Sequence, residues 1–209
     1  MAIDWSFISQ EGIEGESEHL TGYVPTDTSG FTVGSFDLGQ HSKEDIRSIM
    51  QSYQNKQNKT YPLAEDTELY KRISSYALNE SIDDATAKQV KFTDDEVKYL
   101  TAAKRHSFEK SIHRSKGDAW KNLDEKTQTI LGSIGWQYGT GKNKKTDRNI
   151  FEEFWKIRDN KAAIHKKLID MSKNEYTFRR GKEADYILPP PPPVQEILNV
   201  NRKQEIFSQ

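Results

Sequence analysis

The feature that most constrains this fold is one change of pattern near residue 40. Before it, residues 22–39 alternate glycine and hydroxyl residues with Val and Phe, and turn formers stand at Pro25, Asp27 and Gly30. This composition is typical of a small β-hairpin or a three-stranded ribbon. After it, the signals are helical almost to the end of the chain. The sequence therefore predicts an α+β fold that is mostly α-helical and carries one short ribbon.

Two capping boxes mark helix starts in the second part. Ser42 precedes Asp45 by three residues, and Thr93 precedes Glu96 by the same spacing. In such pairs each side chain accepts a hydrogen bond from the backbone N–H of the other residue. The first box predicts a helix after residue 42, and the second a long helix through about His113. Apolar periodicity predicts further helices over residues 4–14, 66–78, 124–138, 147–158, 160–172 and 179–187.

Five consecutive prolines divide the chain. Pro189–Pro193 impose an extended polyproline II conformation. The residues before them are enough for one domain with a packed core, and nine Phe, nine Tyr and four Trp can fill its interior. We therefore predict one domain over residues 1–188 and a tail over residues 189–209. The tail packs on the domain or floats, or it docks a carrier or a proline-binding module.

Charge and composition exclude several classes of function. The net charge is −1, so no overall basic field would hold the chain to nucleic acid or to anionic lipid. The chain has no cysteine, which rules out disulfides and thiol chemistry. No apolar run approaches the ~20 residues that span a membrane. Met1–Trp5 lacks the features of a signal peptide, so we expect synthesis in the cytoplasm and another route of export.

Other candidate sites have simpler interpretations. His106 and His113 are seven residues apart, whereas a helical metal site favours a spacing of four and needs a third ligand. We therefore predict no metal site, and no motif points to a cofactor. Gly139–Lys142 lacks the spacing of a phosphate-binding loop. His41, four residues after Asp37, either faces solvent or neighbours a site there. A basic cluster is either solvated or meets substrate carboxylates: Lys142, Lys144, Lys145 and Arg148.

Four short motifs follow one another between residues 14 and 40. They are Glu14–Gly15, Thr21–Pro25, Ser29–Gly34 and Phe36–Gln40. In this order they resemble the active-site region of the pesticin-type lysozyme domain and its shorter form in phage lysozymes. In those proteins a helix ends in Glu-Gly, and a β-ribbon carries a Gly-aromatic-Thr-Ile-Gly turn. The resemblance covers roughly residues 4–188, because residues 133–139 are similar to the central helix of such domains and residues 179–188 to the closing helix.

The resemblance implies a role for each residue at a matching position. Glycoside hydrolysis needs a carboxylic acid, kept neutral by an apolar setting, to protonate the leaving oxygen. It also needs a second group that aligns water or acts as the nucleophile. By the resemblance Glu14 is the acid, Asp37 is the base and Thr32 orients the attacking water. This arrangement implies inversion of configuration at the sugar.

Two of these assignments have alternatives. Glu11 also precedes a glycine and stands at helical spacing from two apolar residues, so it is the alternative acid. The segment from Thr32 to Asp37 is one residue shorter than the usual form. Phage lysozymes place the Asp shortly before the Thr, so Asp27 is the alternative base. On local evidence alone, the acidic residues would be solvated surface, Thr32 a strand former and Asp37 a cap.

The implied function is hydrolysis of the β-1,4 bond between N-acetylmuramic acid and N-acetylglucosamine in peptidoglycan, the reaction of a lysozyme (muramidase). The implied fold places the first helix and the ribbon in a small lobe, beside a helical lobe that completes a cleft. The pesticin-type motifs imply an antibacterial toxin or type VI secretion effector that reaches the periplasm of a target bacterium and is neutralised by an immunity protein. The alternatives are a phage endolysin, or a module of this fold that binds peptidoglycan or a carrier without cutting.

Overall fold

The computed structural model describes residues 3–9, 20–25, 30–57, 67–78, 82–143, 146–174 and 176–190. They divide into two compact units. One comprises Ser6–Asn122, here called the ribbon unit, and the other comprises Met1–Trp5 with Leu123–Gln209, here called the C-terminal unit. Both units are rich in helix, and the one sheet among the described residues lies in the ribbon unit. The predicted α+β, mostly helical fold is confirmed.

The predicted ribbon is a short antiparallel hairpin. Strand β1 (Thr32–Val33) pairs with strand β2 (Phe36–Asp37). The register sets Thr32 opposite Asp37. Residues directly opposite each other in an antiparallel pair project from the same face, so the hairpin brings these two side chains together.

The turn of the hairpin explains this register. Gly34 and Ser35 form a two-residue loop, and Gly34 has a φ of +54° that few side chains tolerate. Tyr23 adds an isolated bridge to Thr32 rather than a further full strand. A 3₁₀ turn over Leu38–Gln40 follows the second strand directly. The ribbon is therefore held on both sides of its turn.

Helices make up most of the rest of the ribbon unit. Both predicted capping boxes are present: Ser42 with Asp45, and Thr93 with Glu96, each accept the two reciprocal backbone hydrogen bonds. Caps of this kind contribute about 1 kcal/mol each. The family resemblance implies a small lobe that contains the first helix and the ribbon. The ribbon unit is larger than this, because it also contains several further helices. The first residue of α1 is assigned to the C-terminal unit and the rest of α1 to the ribbon unit. The helices are α1 (Trp5–Ile8), α2 (Lys43–Lys56), α3 (Glu68–Ser74), α4 (Asp84–Ala87) and α5 (Asp94–Lys121).

Helix α5 consists of two helices joined at a kink, and the first ends a few residues beyond the predicted end near His113. The regular apolar pattern stops at Ile112, but the helix runs on to Lys121 with a kink at Gly117. Gly117 has φ +55° and ψ −136°, which lie outside the helical region. After this kink the chain resumes a helical turn and buries Trp120, which is 2% exposed. The regular helix therefore ends at this kink, close to its predicted end, and a second short helix that carries Trp120 follows it.

The core of the ribbon unit joins the hairpin to its helices. Buried side chains of the ribbon pack with the inner faces of α2, α3 and α5. Full burial of a side chain of this size stabilises a fold by about 1.5–3 kcal/mol. The hairpin is thus fixed by packing, although its strands are only two residues long. The core residues that these elements contribute are Phe31, Val33, Phe36, Leu38, Ile46, Ile49, Met50, Ile73, Val97, Leu100 and Ala103.

The C-terminal unit is built around one buried helix. In α6 every residue from Thr127 to Gly135 is buried, which agrees with the predicted central helix. Gly132 allows close packing, because a Cβ there would lie 2.8 Å from the Ile3 side chain. Helix α6 contacts α7 and α9, and α8 contacts α9. The bounds are α6 (Glu125–Tyr138), α7 (Ile150–Trp155), α8 (Lys161–Ser172) and α9 (Thr177–Ile187).

Several predictions lie outside the described residues. Glu11, Glu14 and Asp27 are among them, as are Lys144 and Lys145 of the basic cluster and residues 191–209 of the predicted tail. In the part of the chain that is described, no helix has the length and apolar character to cross a membrane.

Candidate functional site

The two ribbon residues singled out by the sequence lie opposite each other. Thr32 and Asp37 are Cα partners across the hairpin, and side chains in this relationship have Cβ atoms about 4.5–5.5 Å apart. The shortened segment between them does not separate them. The two-residue turn at Gly34 is what places them in register.

Thr32 is held firmly by its neighbours. It is 4% exposed, and its backbone N–H and C=O both bond to Tyr23, at 2.9 and 3.0 Å. Its Oγ1 donates a hydrogen bond to the Gly30 carbonyl, at 3.2 Å. The hydroxyl hydrogen is therefore committed, and the lone pairs of Oγ1 remain available to accept. The Thr32 hydroxyl is thus oriented as an acceptor.

Asp37 carries a partly buried carboxylate with unused acceptor capacity. Its Oδ1 is buried and has no hydrogen-bond partner among the described residues. Burial raises the pKa of the Asp37 carboxyl above its ordinary value. The backbone N–H groups of Gln40 and Gly39 and the charge of Lys104 act in the opposite direction, although neither N–H reaches hydrogen-bond geometry with Oδ1. A buried acceptor without a partner is costly, which marks Asp37 as a site for a ligand or substrate.

A buried lysine supports this carboxylate from α5. The Nζ of Lys104 lies 2.6 Å from Nε2 of His41 and 5.4 Å from the centre of the Phe36 ring. Burial is the main reason that the pKa of Lys104 falls to about 8, while Asp37 and Asp45 raise it. At neutral pH Lys104 is therefore mostly charged, and its charge favours the ionised form of Asp37.

His41 is a neutral acceptor for that lysine. Burial, followed by the charge of Lys104, lowers the pKa of His41 to about 4, whereas Asp45 raises it. At neutral pH the ring is uncharged, so its Nε2 accepts a hydrogen bond from the ammonium group and its Nδ1 carries the proton. The ring also packs edge-on against Phe36, with centres 5.3 Å apart. The sequence left open whether His41 faces solvent or neighbours a site at Asp37, and the structure supports the second interpretation.

This arrangement can orient one water molecule for attack. A water between the ribbon residues can donate one hydrogen to Oγ1 of Thr32 and the other to the Asp37 carboxylate. The Asp37 carboxylate can then remove a proton as the water oxygen attacks an electrophile. The chemistry available to these groups is general-base activation of water.

The sequence indicated Thr32 and Asp37 but not Lys104. One signal for Lys104 was present: it follows Val97 and Thr101 at helical spacing, on the face of α5 that contacts the hairpin. A lysine in such a position is buried unless it snorkels to solvent. The candidate acids Glu14 and Glu11 and the alternative base Asp27 lie outside the described residues.

The remaining predicted candidates form ordinary contacts. Lys142 pairs with Asp147 at 3.0 Å, and Arg148 pairs with Glu153 at 3.0 Å. Within the described residues no group of three or more His, Cys, Asp or Glu side chains could hold a metal ion. Nothing in this part of the structure adds a second cluster of catalytic type.

Comparison with known proteins identifies the family of this chain. A search of curated proteins finds no match to the chain. A protein-family model described as "Pesticin: Bacterial toxin homologue of phage lysozyme, C-term" matches residues 2–161. This match spans the whole hairpin, its supporting helices and the buried lysine, and it covers more than half of the chain. The chain therefore belongs to the pesticin family, the bacterial toxin homologues of phage lysozyme.

Proposed function

We propose that this protein is a muramidase, which cleaves the β-1,4 bond between N-acetylmuramic acid and N-acetylglucosamine in peptidoglycan. The observation that carries the proposal is the pairing of Thr32 with Asp37 across the hairpin. It supplies an oriented hydroxyl beside a carboxylate with an unfilled acceptor. Membership of a family of phage-lysozyme homologues supports glycan strands as the substrate.

In the proposed mechanism one water molecule displaces the leaving sugar. Asp37 removes a proton from the water while Thr32 holds it in line with the anomeric carbon. The water oxygen bonds to that carbon as the glycosidic C–O bond breaks, and the departing oxygen takes a proton from a carboxylic acid. This single displacement inverts the configuration. Glu14 is the proposed acid on the family resemblance, and Glu11 is the alternative.

Lys104 has a supporting role in this mechanism. A general base must be ionised at the working pH, but burial of Asp37 favours its protonated form. The charge of Lys104 acts against that effect and keeps the base available. Because Lys104 contacts His41 rather than the proposed water, we describe it as a positioning residue.

The test is an assay of the purified full-length protein on cell-wall sacculi. Release of new reducing ends measures glycosidase activity directly. We expect Asp37→Asn to abolish release while circular dichroism and thermal unfolding stay native, because loss of a general base lowers rates by about 10²–10⁴-fold. Asp118→Asn, at an exposed position in the same unit, is the matched control and should be fully active.

The same assay identifies the acid and tests the alternative function. Glu14→Gln should abolish release and Glu11→Gln should not; the reverse result would assign the acid to Glu11. Native protein that binds sacculi without releasing reducing ends would reject the muramidase and support a non-catalytic binding module. Product analysis by NMR should show the inverted anomer first, and a retained anomer would reject the direct displacement by water.

We also propose that the protein acts on other bacteria. A toxin with this activity has to reach the periplasm of the target cell, and the producer needs an immunity protein that blocks the site. The experiment compares expression in a Gram-negative host with and without an added export signal. We expect lysis only with the signal and rescue by a gene adjacent to that of the toxin. A neighbouring holin gene, in place of an inhibitor, would instead indicate a phage endolysin.

A further inference from the structure

A polar groove lies between helices α2 and α5 of the ribbon unit. Its volume is about 900 Å³, which falls within the range of about 300–1,000 Å³ that small ligands occupy. Side chains one helical turn apart line it, such as Ser48 and Ser52 from α2 and His106 and Lys110 from α5. We call this feature the α2–α5 groove. It is separate from the side of α5 that carries Lys104 against the hairpin.

The α2–α5 groove concentrates positive charge. Arg47, Lys56 and Lys110 line it, and none of the described residues in the lining is a carboxylate. Lys56 and Lys110 form no ion pair within the described part of the chain, whereas lysines elsewhere in this unit, such as Lys71 and Lys88, pair with carboxylates at 2.7 and 2.5 Å. The chain as a whole has a net charge of −1. The excess of cations is therefore a local property of this groove, which favours an anionic ligand.

Hydrogen-bonding groups accompany these charges. Lys110 Nζ donates to Ser52 Oγ at 3.1 Å, and Nε2 of His106 lies 3.5 Å from the same oxygen. Burial, more than the nearby lysines, lowers the pKa of His106, while Glu109 raises it without lining the groove. Side-chain amides on α2 add further donors and acceptors. Such a lining can bind the N–H and C=O groups of a peptide as well as its carboxylates.

The composition of the lining distinguishes between anions. Bases of a nucleic acid stack on flat aromatic or guanidinium surfaces, and among the described residues of the lining only Arg47 and His106 offer such a surface, with no Phe, Tyr or Trp. Within the described part of the lining there is also no aliphatic side chain that would take an apolar chain. Charged nitrogens combined with amides and hydroxyls match a short acidic peptide better than they match a nucleic acid or an apolar chain.

Helix α2, which lines one side of the groove, begins next to the candidate active site. Asp45 stands one helical turn before Ser48 on α2. Its hydrogen bonds with Ser42 are the main reason that its pKa is lowered, and the nearby His41 and Lys104 lower it further. A glycan bound at Asp37 therefore has its substituents within reach of α2. In peptidoglycan these substituents are acidic peptides.

We infer that the α2–α5 groove binds the carboxylates of the peptide attached to the glycan strand, through Arg47, Lys56 and Lys110. The inference rests on the proposed function, which supplies the ligand. It adds a second binding site to the hairpin site. Glycan that carries its peptides should accordingly bind more tightly than glycan from which an amidase has removed them.

The experiment measures binding in an Asp37→Asn background, so that no substrate is consumed. The probes are soluble glycan fragments with peptides, the same fragments without peptides, and fragments whose peptide carboxylates are amidated. We expect the first probe to bind at least about tenfold more tightly than the other two. Lys56→Gln/Lys110→Gln should remove this preference and leave binding of the peptide-free fragment unchanged. Lys71→Gln/Lys88→Gln removes the same charge from exposed positions and should keep the preference.

Two results would overturn the inference. One is equal affinity for the three probes. The other is a loss in Lys56→Gln/Lys110→Gln that is the same for fragments with and without peptides. Inorganic phosphate should compete only weakly, and full displacement of the fragment by an equimolar amount of phosphate would identify a phosphate site instead. Failure of the proposed function is a different result: wild-type protein would release no reducing ends, whatever the three probes do.

Discussion

The ammonium nitrogen of Lys104 lies 2.6 Å from Nε2 of His41, and both side chains pack against the ring of Phe36. The pair combines a cation whose pKa is reduced to about 8 with an imidazole whose pKa is reduced to about 4. Burial is the largest cause of both shifts. The protein thus keeps a charge in a position where burial disfavours it, which is typical of a functional site.

Lys104→Met should increase stability and impair activity. The unfolded chain binds the Lys104 proton up to about pH 10.5 and the folded chain only to about pH 8, so burial of this charge costs free energy below pH 8. Removal of the charge should stabilise the protein at pH 7 by about 1–2 kcal/mol in urea denaturation. Loss of the cation also raises the pKa of Asp37, so the acid limb of the activity profile should move to higher pH.

Lys104→Arg is the matched variant, because it keeps the charge. Its acid limb should stay near that of the wild type, even if the overall rate falls. A Lys104→Met profile that superimposes on the wild-type profile would show that this cation does not influence the base.

His41→Gln should make stability less sensitive to acid. His41 binds a proton below about pH 6.5 in the unfolded chain but only below about pH 4 in the folded chain. The folded state therefore loses stability as the pH falls from about 6.5 to about 4, by about 2 kcal/mol after allowance for partial exposure. Gln removes this titration and can still accept a hydrogen bond from Lys104.

The measurement is the urea midpoint at half-unit steps between pH 4 and 7. The difference between His41→Gln and wild type should grow steadily toward low pH. His165→Gln, on α8 of the C-terminal unit, is the control. If the curves of His41→Gln and wild type stay parallel, protonation of His41 is not linked to folding.

Gly34→Ala should disrupt the hairpin and, with it, the candidate site. Gly34 has a φ of +54°, and a Cβ there would lie 2.5 Å from Thr101 Oγ1. The left-handed backbone alone costs an L-residue about 1–2 kcal/mol, and the contact adds to that. A shifted register would separate Thr32 from Asp37. The variant should therefore release fewer reducing ends even under conditions where it is still folded. Gly141→Ala is the control, because a Cβ there meets no atom of the described residues within 4 Å. Equal stability and equal activity of the two variants would contradict the argument.

Local signals predicted the helix starts but not every helix. The boxes at Ser42 and Thr93 were readable because both partners lie within four residues, and their hydrogen bonds form as predicted. Helix α4 (Asp84–Ala87) was not predicted. It is four residues long and depends on the Asp83 cap and on burial of Ala87. Such a helix is stabilised by its surroundings, which a sequence window does not contain.

The residues of the candidate site were likewise only partly predictable from the sequence. Family motifs singled out Thr32 and Asp37, and the hairpin sets them opposite each other because Gly34 makes the turn short. Lys104 is 67 positions after Asp37, and only packing of α5 on the hairpin brings its charge near the carboxylate. Its burial and reduced pKa are products of tertiary structure. In the sequence, only its helical spacing from Val97 and Thr101 distinguishes it from the other lysines.

Thr32→Val should separate orientation of water from packing. Val has nearly the shape of Thr, so the hairpin should persist, but the Gly30 carbonyl loses its hydrogen bond at a cost of about 1 kcal/mol. A water that is no longer aligned should lower the rate of reducing-end release by up to about 10²-fold. Thr32→Ser keeps the hydroxyl and should retain most of the activity. Similar rates for the Val and Ser variants would exclude an orienting hydroxyl.

Glu183→Gln should destabilise the C-terminal unit without touching the candidate site. Glu183 is fully buried and forms ion pairs with Arg179 and Arg180, and it accepts a hydrogen bond from Ser133. Both guanidinium groups are buried and pair with this carboxylate. Loss of one partner in a buried ion pair costs about 3–5 kcal/mol, because the remaining charge stays desolvated.

The measurement is urea unfolding of Glu183→Gln beside Glu125→Gln, which changes an exposed glutamate in the first turn of α6. The exposed change should cost less than about 1 kcal/mol. We expect Glu183→Gln to release reducing ends at the wild-type rate at low temperature, where it remains folded, and to lose activity at lower temperatures than the control on heating. A Glu183→Gln protein as stable as Glu125→Gln would mean that the buried network contributes no net stability, as happens when the cost of desolvating the charges balances their attraction.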